Sequence, residues 1–365
     1  MSAPRVLIVL GTRPEAVKLA PVVRALRRRR IPTSVVSTGQ HSGLLRDALG
    51  SLGLRCDVDL RLMRARQPHA LLAARILTGL APLLRRLKPA LTLVQGDTTT
   101  AATAALASFH AGVPVGHVEA GLRSFDPANP FPEEGNRVLA DHLSALHFAP
   151  TAQALQNLKR EGISGRWCVL TGNTAIDSVR WAAARAAGAA HGDAGCVLVT
   201  LHRQESFGLP LRDMLGGLRR LAQRRADVRV VFAVHPNPEV RRAARALAPH
   251  PRLRLIRPRP YLEFVGLLAA CRILITDAGG LQEEAAALGR PVLVARDVTE
   301  RPELIASGGG ILVGREPGRI VREAERLLDD PRAWRAMARS RNPFGDGRAG
   351  ERIAASVAAW LPRHR

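Results

Sequence analysis

The sequence predicts an α/β protein built as two doubly wound, Rossmann-like domains facing a cleft. Three observations predict it. Short aliphatic runs recur along the whole chain, with Ala-, Arg- and Leu-rich helical patterns between most of them, which is the signature of parallel sheets covered on both faces. The length of 365 residues exceeds one ordinary domain and suits two of about 150 to 200 residues. Polar loops follow the runs, and doubly wound sheets bind ligands beyond the carboxyl ends of their strands.

Taken in order, strands are expected at 6–10, 33–38, 91–95, 114–118, 145–149 and 168–171, then at 196–200, 229–234, 253–256, 273–276, 291–295 and 310–313. The first, Val6-Leu7-Ile8-Val9-Leu10, is too short for a signal-peptide core and reads as a buried strand. The Ala/Gly-rich stretch from Gly172 to Asp193 separates the two series. The domains are therefore placed at 1–171 and from 172 onward. No solenoid repeat interrupts them.

Composition narrows the class. Hydrophobic residues make up 46% but aromatics only 4%, so aliphatic side chains and Ala must fill the cores. No run of 18 or more residues is apolar without charge, so no membrane insertion is expected. With no targeting segment recognised, a cytoplasmic location is expected. The cysteines Cys56, Cys168, Cys196 and Cys271 have no CxxC or metal spacing and read as reduced, mostly buried thiols. The formal net charge of +23 raises nucleic-acid binding. The cations are nearly all Arg, scattered over predicted helix faces, and no nucleic-acid motif accompanies them. A solvated surface and a general pull on small anions is the better reading. No metal-ligand cluster and no Ser-His-Asp context stands out.

The stretch Thr276-Asp277-Ala278-Gly279-Gly280-Leu281-Gln282-Glu283-Glu284 carries the most chemistry. A buried strand, a tight glycine turn and a helix start form a ready anion site. The glycines admit close backbone approach, and the free N–H groups of the first helical turn point at the ligand. A phosphate or diphosphate is the natural guest, and an acidic residue one turn into the helix can reach a ribose hydroxyl. The turn suggests a nucleotide ligand before any catalytic residue is named.

Other loops add acid, base and cation. Gly11-Thr12-Arg13-Pro14-Glu15-Ala16-Val17-Lys18 places Arg13 and Lys18 at a strand-to-helix turn, suited to a diphosphate or developing anion. An ordinary helix start would look the same. The G-x-G-x-x-G and Gly-Lys-Ser/Thr spacings are both missing. Asp97, Glu119 and Glu133 follow strands or open a helix in the first half. Each has a plain reading as a cap or first-turn acid. Gathered in one cleft, they would raise one another's pKa and form an acid/base set. His202 beside Arg203, and His235, stand at strand ends of the second half. A lone strand-end histidine is more often structural than catalytic. Arg301 and Glu303 lie in a polar loop able to reach a ligand on the glycine turn.

Together these segments resemble the non-hydrolysing UDP-N-acetylglucosamine 2-epimerases. The matching stretches are GTRPEAVKLAP, QGDTTT, GHVEAGLRS, PEEGNR, TGNTAID, HRQESFG, VHPNP, TDAGGLQEE, LGRPVLVARDVTERPE and NPFGDG, in the family's order over nearly the whole chain. The resemblance implies the glycosyltransferase-B fold, a homodimer, and interconversion of UDP-GlcNAc and UDP-ManNAc with neither NAD nor metal, so no cofactor is expected. It implies elimination of UDP to a 2-acetamidoglucal and re-addition. Carried over by motif, Asp97, Glu119, Glu133 and His202 are the catalytic candidates, with base and acid unassigned among the carboxylates. Arg13 and Lys18, with His202, would hold the diphosphate or sugar. Phe264 would lie against uracil, Ala278, Gly279 and Gly280 at the phosphates, Glu284 at the ribose, and Arg301 would complete the site. A second, activating UDP-GlcNAc would meet Gln40, His41, Gln67, Glu134, Arg203 and His235. The same analogy divides the chain into 1–171, 172–346 and a C-terminal helix over 347–365 that returns to the first domain.

Departures from the family pattern touch nucleotide binding, activation and sugar identity rather than the carboxylates. Ala278 stands in place of Ser, Arg259 in place of a uracil-side Gln, HRQE in place of HRRE, and Gly135 in place of an aliphatic residue or Ala. Alternatives are a 2-epimerase for a modified sugar such as UDP-2,3-diacetamido-2,3-dideoxy-glucuronate, a glycosyltransferase on the same fold, and a catalytically silent UDP-sugar-binding protein. A glycosyltransferase has no need of three carboxylates in the sugar half, and the intact set argues against a silent binder.

Overall fold

The computed structural model describes residues 6–39, 49–64, 67–186 and 195–363. They fall into two compact units, Met1–Ser178 with Phe344–Arg365, and Val179–Pro343. In the first unit the elements run β1 (Val6–Leu10), α1 (Arg13–Arg28), β2 (Thr33–Ser37), β3 (Val58–Asp59), α2 (His69–Leu87), β4 (Leu91–Gln95), α3 (Thr99–His110), β5 (Val115–Val118), α4 (Glu133–His142), β6 (Leu146–Ala149), α5 (Ala152–Arg160), β7 (Cys168–Leu170) and the start of α6 (Thr174–Ala183). The strands form a seven-stranded sheet in the order β3-β2-β1-β4-β5-β6-β7, every pair parallel. The order turns back between β1 and β4. That switch point opens a crevice at the carboxyl ends of the two strands.

Local chemistry explains the starts of the helices around it. Thr12 and Glu15 form a reciprocal capping box on α1, with Pro14 in the first turn. The Thr98 hydroxyl accepts the Ala101 N–H at 3.0 Å and caps α3. Leu7, Val9, Val36, Ile76, Val94 and Ala104 pack one side of the sheet with α2 and α3. The last helix of the chain belongs to this unit and packs on α1. Its first residues, Ala349 and Gly350, donate their N–H groups to the Asp177 carboxylate at 3.1 and 2.9 Å. A Cβ on Gly350 would lie 2.8 Å from the Pro21 carbonyl carbon, so only glycine admits that approach.

The second unit runs β8 (Val197–Thr200), α7 (Leu209–Arg224), β9 (Val230–Ala233), α8 (Pro238–Arg245), β10 (Leu253–Ile256), α9 (Tyr261–Ala270), β11 (Ile273–Thr276), α10 (Gly279–Ala287), β12 (Val292–Val294), α11 (Pro302–Ala306), β13 (Gly310–Leu312), α12 (Pro317–Asp329) and α13 (Pro331–Ala338). The chain then returns to the first unit as α14 (Ala349–Trp360). The second sheet has six parallel strands in the order β10-β9-β8-β11-β12-β13. Its switch point lies between β8 and β11. Val199, Leu215, Val230, Phe232, Ile275 and Leu293 head its core.

Every strand expected from the sequence is present, several a residue shorter. The addition is β3, an edge pairing of two residues, too short for a hydrophobic period to register. All four cysteines are free, Cys196 and Cys271 buried and Cys56 and Cys168 half-buried. Among the described residues no helix is long and apolar enough to cross a membrane.

Candidate functional site

In the first unit the candidate residues converge on the β1/β4 switch point. Gly11 leaves β1 where no side chain fits, since a Cβ there would sit 2.3 Å from the Thr100 hydroxyl and 2.5 Å from that of Thr38. Glu15, 1% exposed, turns its carboxylate back to accept the N–H groups of Gly11 and Thr12 at 3.0 and 2.6 Å. It also accepts the Thr98 hydroxyl at 2.8 Å, which joins the first turns of α1 and α3. Burial pushes the Glu15 carboxyl up, against the pull of those hydrogen bonds. Arg13 and Lys18 project from α1, and Lys18 pairs with Glu119.

Glu119 follows β5 with φ +72°, in the left-handed region. Such a conformation costs a residue other than glycine roughly 1–3 kcal/mol and persists only where surroundings impose it. Here the Glu119 and Ala120 N–H groups both donate to the Phe148 carbonyl, at 3.0 and 3.2 Å. The Gln95 amide donates to the Glu119 carboxylate from the end of β4. Asp97 pairs with Arg137, and the Asn136 amide donates to the Asp97 carbonyl at 2.9 Å. Glu133 is half-buried at the start of α4.

Beneath these loops lies a polar chain in which His117, Asp141 and Arg123 are buried and Glu161 reaches solvent. His117 Nδ1 is 2.6 Å from one Asp141 carboxylate oxygen, and its Nε2 is 2.8 Å from the Gly96 carbonyl. The other Asp141 oxygen takes the Gly121 N–H at 3.0 Å and the Arg123 guanidinium at 2.8 Å. Arg123 makes a fork of two 2.6 Å bonds to Glu161. Burial opposes the Asp141 charge, but His117 and Arg123 outweigh it and hold this carboxyl at about 2.

In the second unit the candidates gather at the β8/β11 switch point. Asp277 is fully buried at the end of β11 and accepts the N–H groups of His202 and Arg203 at 2.7 and 2.9 Å. Burial pushes its carboxyl up, and those bonds only partly compensate. His202 lies 3.5 Å from Asp277 and stacks on His235 at 4.7 Å between ring centroids. Burial and the neighbouring Arg203 push the His202 pKa down, and burial and His202 do the same to His235. Both rings are therefore neutral at pH 7.

Ala278 occupies the N-cap of α10 and supplies no side-chain cap. The Ala278 N–H donates to the Thr276 hydroxyl at 3.0 Å, so the backbone amides from Gly279 onward are the donors on offer. A Cβ on Gly280 would meet nothing within 4 Å, so the space over the turn is open. Around it, the Tyr261 hydroxyl donates to Glu284 at 3.3 Å, and Arg301 donates to Glu283 at 2.5 Å. Phe264 is buried on α9. This arrangement can hold a diphosphate by backbone and Arg, with a carboxylate and an aromatic ring nearby for a nucleoside.

Asp97 pairs with Arg137 and Glu119 with Lys18, and Glu133 makes no ion pair with Lys18 or Arg137 among the described residues. Isolated strand-end acids cannot reveal which cation the fold brings opposite them. Of the residues expected at a second nucleotide, Glu134 is buried and accepts the N–H groups of Ser124 and Phe125, each at 3.0 Å. Gln67 accepts from Arg64 and Arg75 at 3.0 and 3.1 Å. Arg203 faces Glu300 at 3.8 Å, while Gln40 and His41 lie outside the described residues. Sequence reasoning missed Gln95, Arg137, Asp141 and Asp277 as site members. A histidine and an acid in otherwise aliphatic strand contexts were the available signal for His117 and Asp277, since buried polar groups require partners.

Two parallel, doubly wound units, each with polar groups at its own switch point, define a protein of the glycosyltransferase-B fold. The glycosyltransferase SnogD from Streptomyces nogalater shares that fold at a TM-score of 0.62 and 17% identity, over 99% of this chain and all of that one. A family model described as UDP-N-acetylglucosamine 2-epimerase matches residues 24–358. The UDP-N-acetylglucosamine 2-epimerase of Escherichia coli strain K12 is 43% identical over 96% of this chain and 97% of its own. The crystal structure of UDP-GlcNAc 2-epimerase from Neisseria meningitidis, bound to UDP-GlcNAc, superposes with a TM-score of 0.90 at 37% identity, over 97% of this chain and all of that chain. The chain belongs to the UDP-N-acetylglucosamine 2-epimerase family, and it is an epimerase.

Proposed function

We propose that this enzyme interconverts UDP-GlcNAc and UDP-ManNAc by eliminating and re-adding UDP. The observation that carries the reading is the pairing of Glu119 with Lys18 and Gln95, next to Asp97 with Arg137, at the first switch point. In the elimination a carboxylate takes the C2 proton, the C2–H electrons form the C1=C2 double bond of 2-acetamidoglucal, and the C1–O bond breaks with its electrons leaving on UDP. In the return step a UDP phosphate oxygen attacks C1, and a proton reaches C2 on the opposite face. Two proton-transfer groups on different sides are needed, and Asp97, Glu119 and Glu133 are the candidates. Lys18 and Arg137 then hold two of those carboxylates in place, while Arg13 meets the charge that develops on the departing diphosphate.

The glycine turn of the second unit takes the UDP. Ala278, Gly279 and Gly280 approach the phosphates by backbone, Glu284 the ribose and Phe264 the uracil, while Arg301 and neutral His202 line the diphosphate. The family resemblance supports a homodimer in the cytoplasm and activation by a second UDP-GlcNAc near Gln40, His41, Gln67, Glu134, Arg203 and His235. Sedimentation and initial-rate curves against UDP-GlcNAc test these two points.

The deciding experiment is proton NMR of the protein with UDP-GlcNAc in D2O. Growth of a UDP-ManNAc anomeric signal, with deuterium entering C2, is the expected result. Silence from folded protein would reject UDP-GlcNAc as the substrate.

A further inference from the structure

We propose that His117 is a positioning residue whose imidazolium, donating from both ring nitrogens, locks the loops carrying Asp97 and Glu119 into one register. The argument starts from what each nitrogen faces. Nδ1 meets a carboxylate oxygen of Asp141 at 2.6 Å and Nε2 meets the carbonyl of Gly96 at 2.8 Å. A carbonyl oxygen can only accept, and so can an ionised carboxylate. A neutral imidazole has one N–H, and would leave a lone pair pointed at one of these oxygens.

The charge count agrees. The chain His117, Asp141, Arg123, Glu161 alternates in sign, with His117, Asp141 and Arg123 all essentially buried. Counted out to Glu161, which is 21% exposed and also faces His142 at 3.7 Å, the chain is neutral with His117 protonated. Asp141 stays ionised because two cations and the Gly121 N–H hold it. Burial alone would discharge His117, yet Asp141, the Gly96 carbonyl and the nearby Glu119 together raise its pKa above the ordinary histidine value. His147, the other titratable group at this spot, reaches the Asp141 backbone carbonyl at 2.8 Å and is itself pushed down by burial.

The consequence falls on two candidate catalytic groups. Gly96, whose carbonyl His117 holds, immediately precedes Asp97. Gly121, whose N–H Asp141 holds, lies two residues beyond Glu119, and its carbonyl takes the Asn157 amide at 3.0 Å. Gly121 has φ +82°, and a Cβ on it would sit 2.2 Å from the Ala154 carbonyl oxygen, so the turn has no slack. The left-handed Glu119 is thus held from both flanks, and one imidazolium connects its anchor to that of Asp97.

Two measurements on the full chain test this. In 15N-histidine-labelled wild type at pH 6.5, one imidazole should show two slowly exchanging ring N–H protons, and that signal should be missing in His117→Gln. Finding no doubly protonated ring would overturn the proposal, whether or not any variant folds. Kinetically, His117→Gln and His117→Asn should lower kcat about 100-fold with KM and UDP affinity changed less than about threefold, because a misplacement near 1 Å costs about that factor. Gln keeps the donor to Gly96 and should be the milder of the two. Folded variants with wild-type kcat, or a loss confined to KM, would also overturn it. The kinetic arm rests on the proposed epimerisation and the NMR arm does not. A doubly protonated ring in a protein without turnover would reject that function alone.

Discussion

The two switch points belong to the same kind of sheet and solve opposite problems. The first is dense with paired side-chain charge, Lys18 with Glu119 and Arg137 with Asp97, over a buried chain of alternating sign. The second presents bare backbone at a helix start, two neutral stacked histidines and one buried carboxylate spent on holding the 202–203 turn. The proton transfer proposed for the first demands side chains held in position, which the cations and the second layer of supports provide. The anion binding proposed for the second demands oriented N–H groups and space beside its Arg, which Ala and Gly leave open. One architecture accommodates both because its strand ends leave side chains and backbone equally available.

The largest expected effect tests that division. Asp97→Asn and Glu119→Gln should each lower kcat by about 10² to 10⁴, the usual worth of a general acid or base, with UDP binding by calorimetry preserved. In the second unit Gly280→Val should do the reverse. Nothing lies within 4 Å of its Cβ, so the melting temperature should hold, while UDP affinity falls about tenfold or more, or 1.4 kcal/mol per decade. Equal losses of kcat and UDP affinity in both sets would erase the contrast.

Stability should separate the two buried aspartates. Asp141→Asn breaks a buried network of paired charge and should cost about 3–5 kcal/mol in denaturant unfolding. Asp277, whose carboxyl burial already pushes up, should lose less than about 1 kcal/mol on replacement by Asn, since an amide oxygen can still accept both N–H groups. A larger loss at Asp277 would reverse the ranking.

The pH dependence has a definite sign. With the Asp141 pKa depressed to about 2 from 3.8, its stabilisation is present above pH 4 and lost as pH falls towards 2. His117 is raised from 6.5, so its contribution is complete below pH 6.5 and lost as pH rises through the folded value. The stability gap between wild type and His117→Gln should therefore be widest between about pH 4 and 6.5 and narrow in alkali. A gap that widens from pH 6.5 upward would contradict the assignment.

The smallest effects are gains. Ala278→Ser supplies the missing N-cap of α10 and should add about 1 kcal/mol. Gly135→Ala, in a helix with open space around it, should add about 0.5–1 kcal/mol. If Ala278→Ser tightens UDP as well, the second site uses side chains more than its present backbone suggests.

Strand ends were readable because continuous Val, Ile and Leu runs have few other uses than a buried parallel strand. That is why Gly11, Asp97, Glu119, His202 and the 276–284 turn are legible in the sequence as lying beyond strands. The edge strand Val58–Asp59 offered no such run. Strand order was not readable either, and with it the fact that β1 lies beside β4 and β8 beside β11.

By itself the sequence determined two parallel α/β units, a glycine turn at a helix start and a set of strand-end acids and cations, because hydrophobic period and turn chemistry are local properties. Only the tertiary structure decided that Lys18 meets Glu119 across 101 positions, that Arg137 meets Asp97, and that Asp141 is the carboxylate facing His117. Those partners are chosen by sheet order and helix placement, and no local pattern encodes which distant charge will arrive within 4 Å.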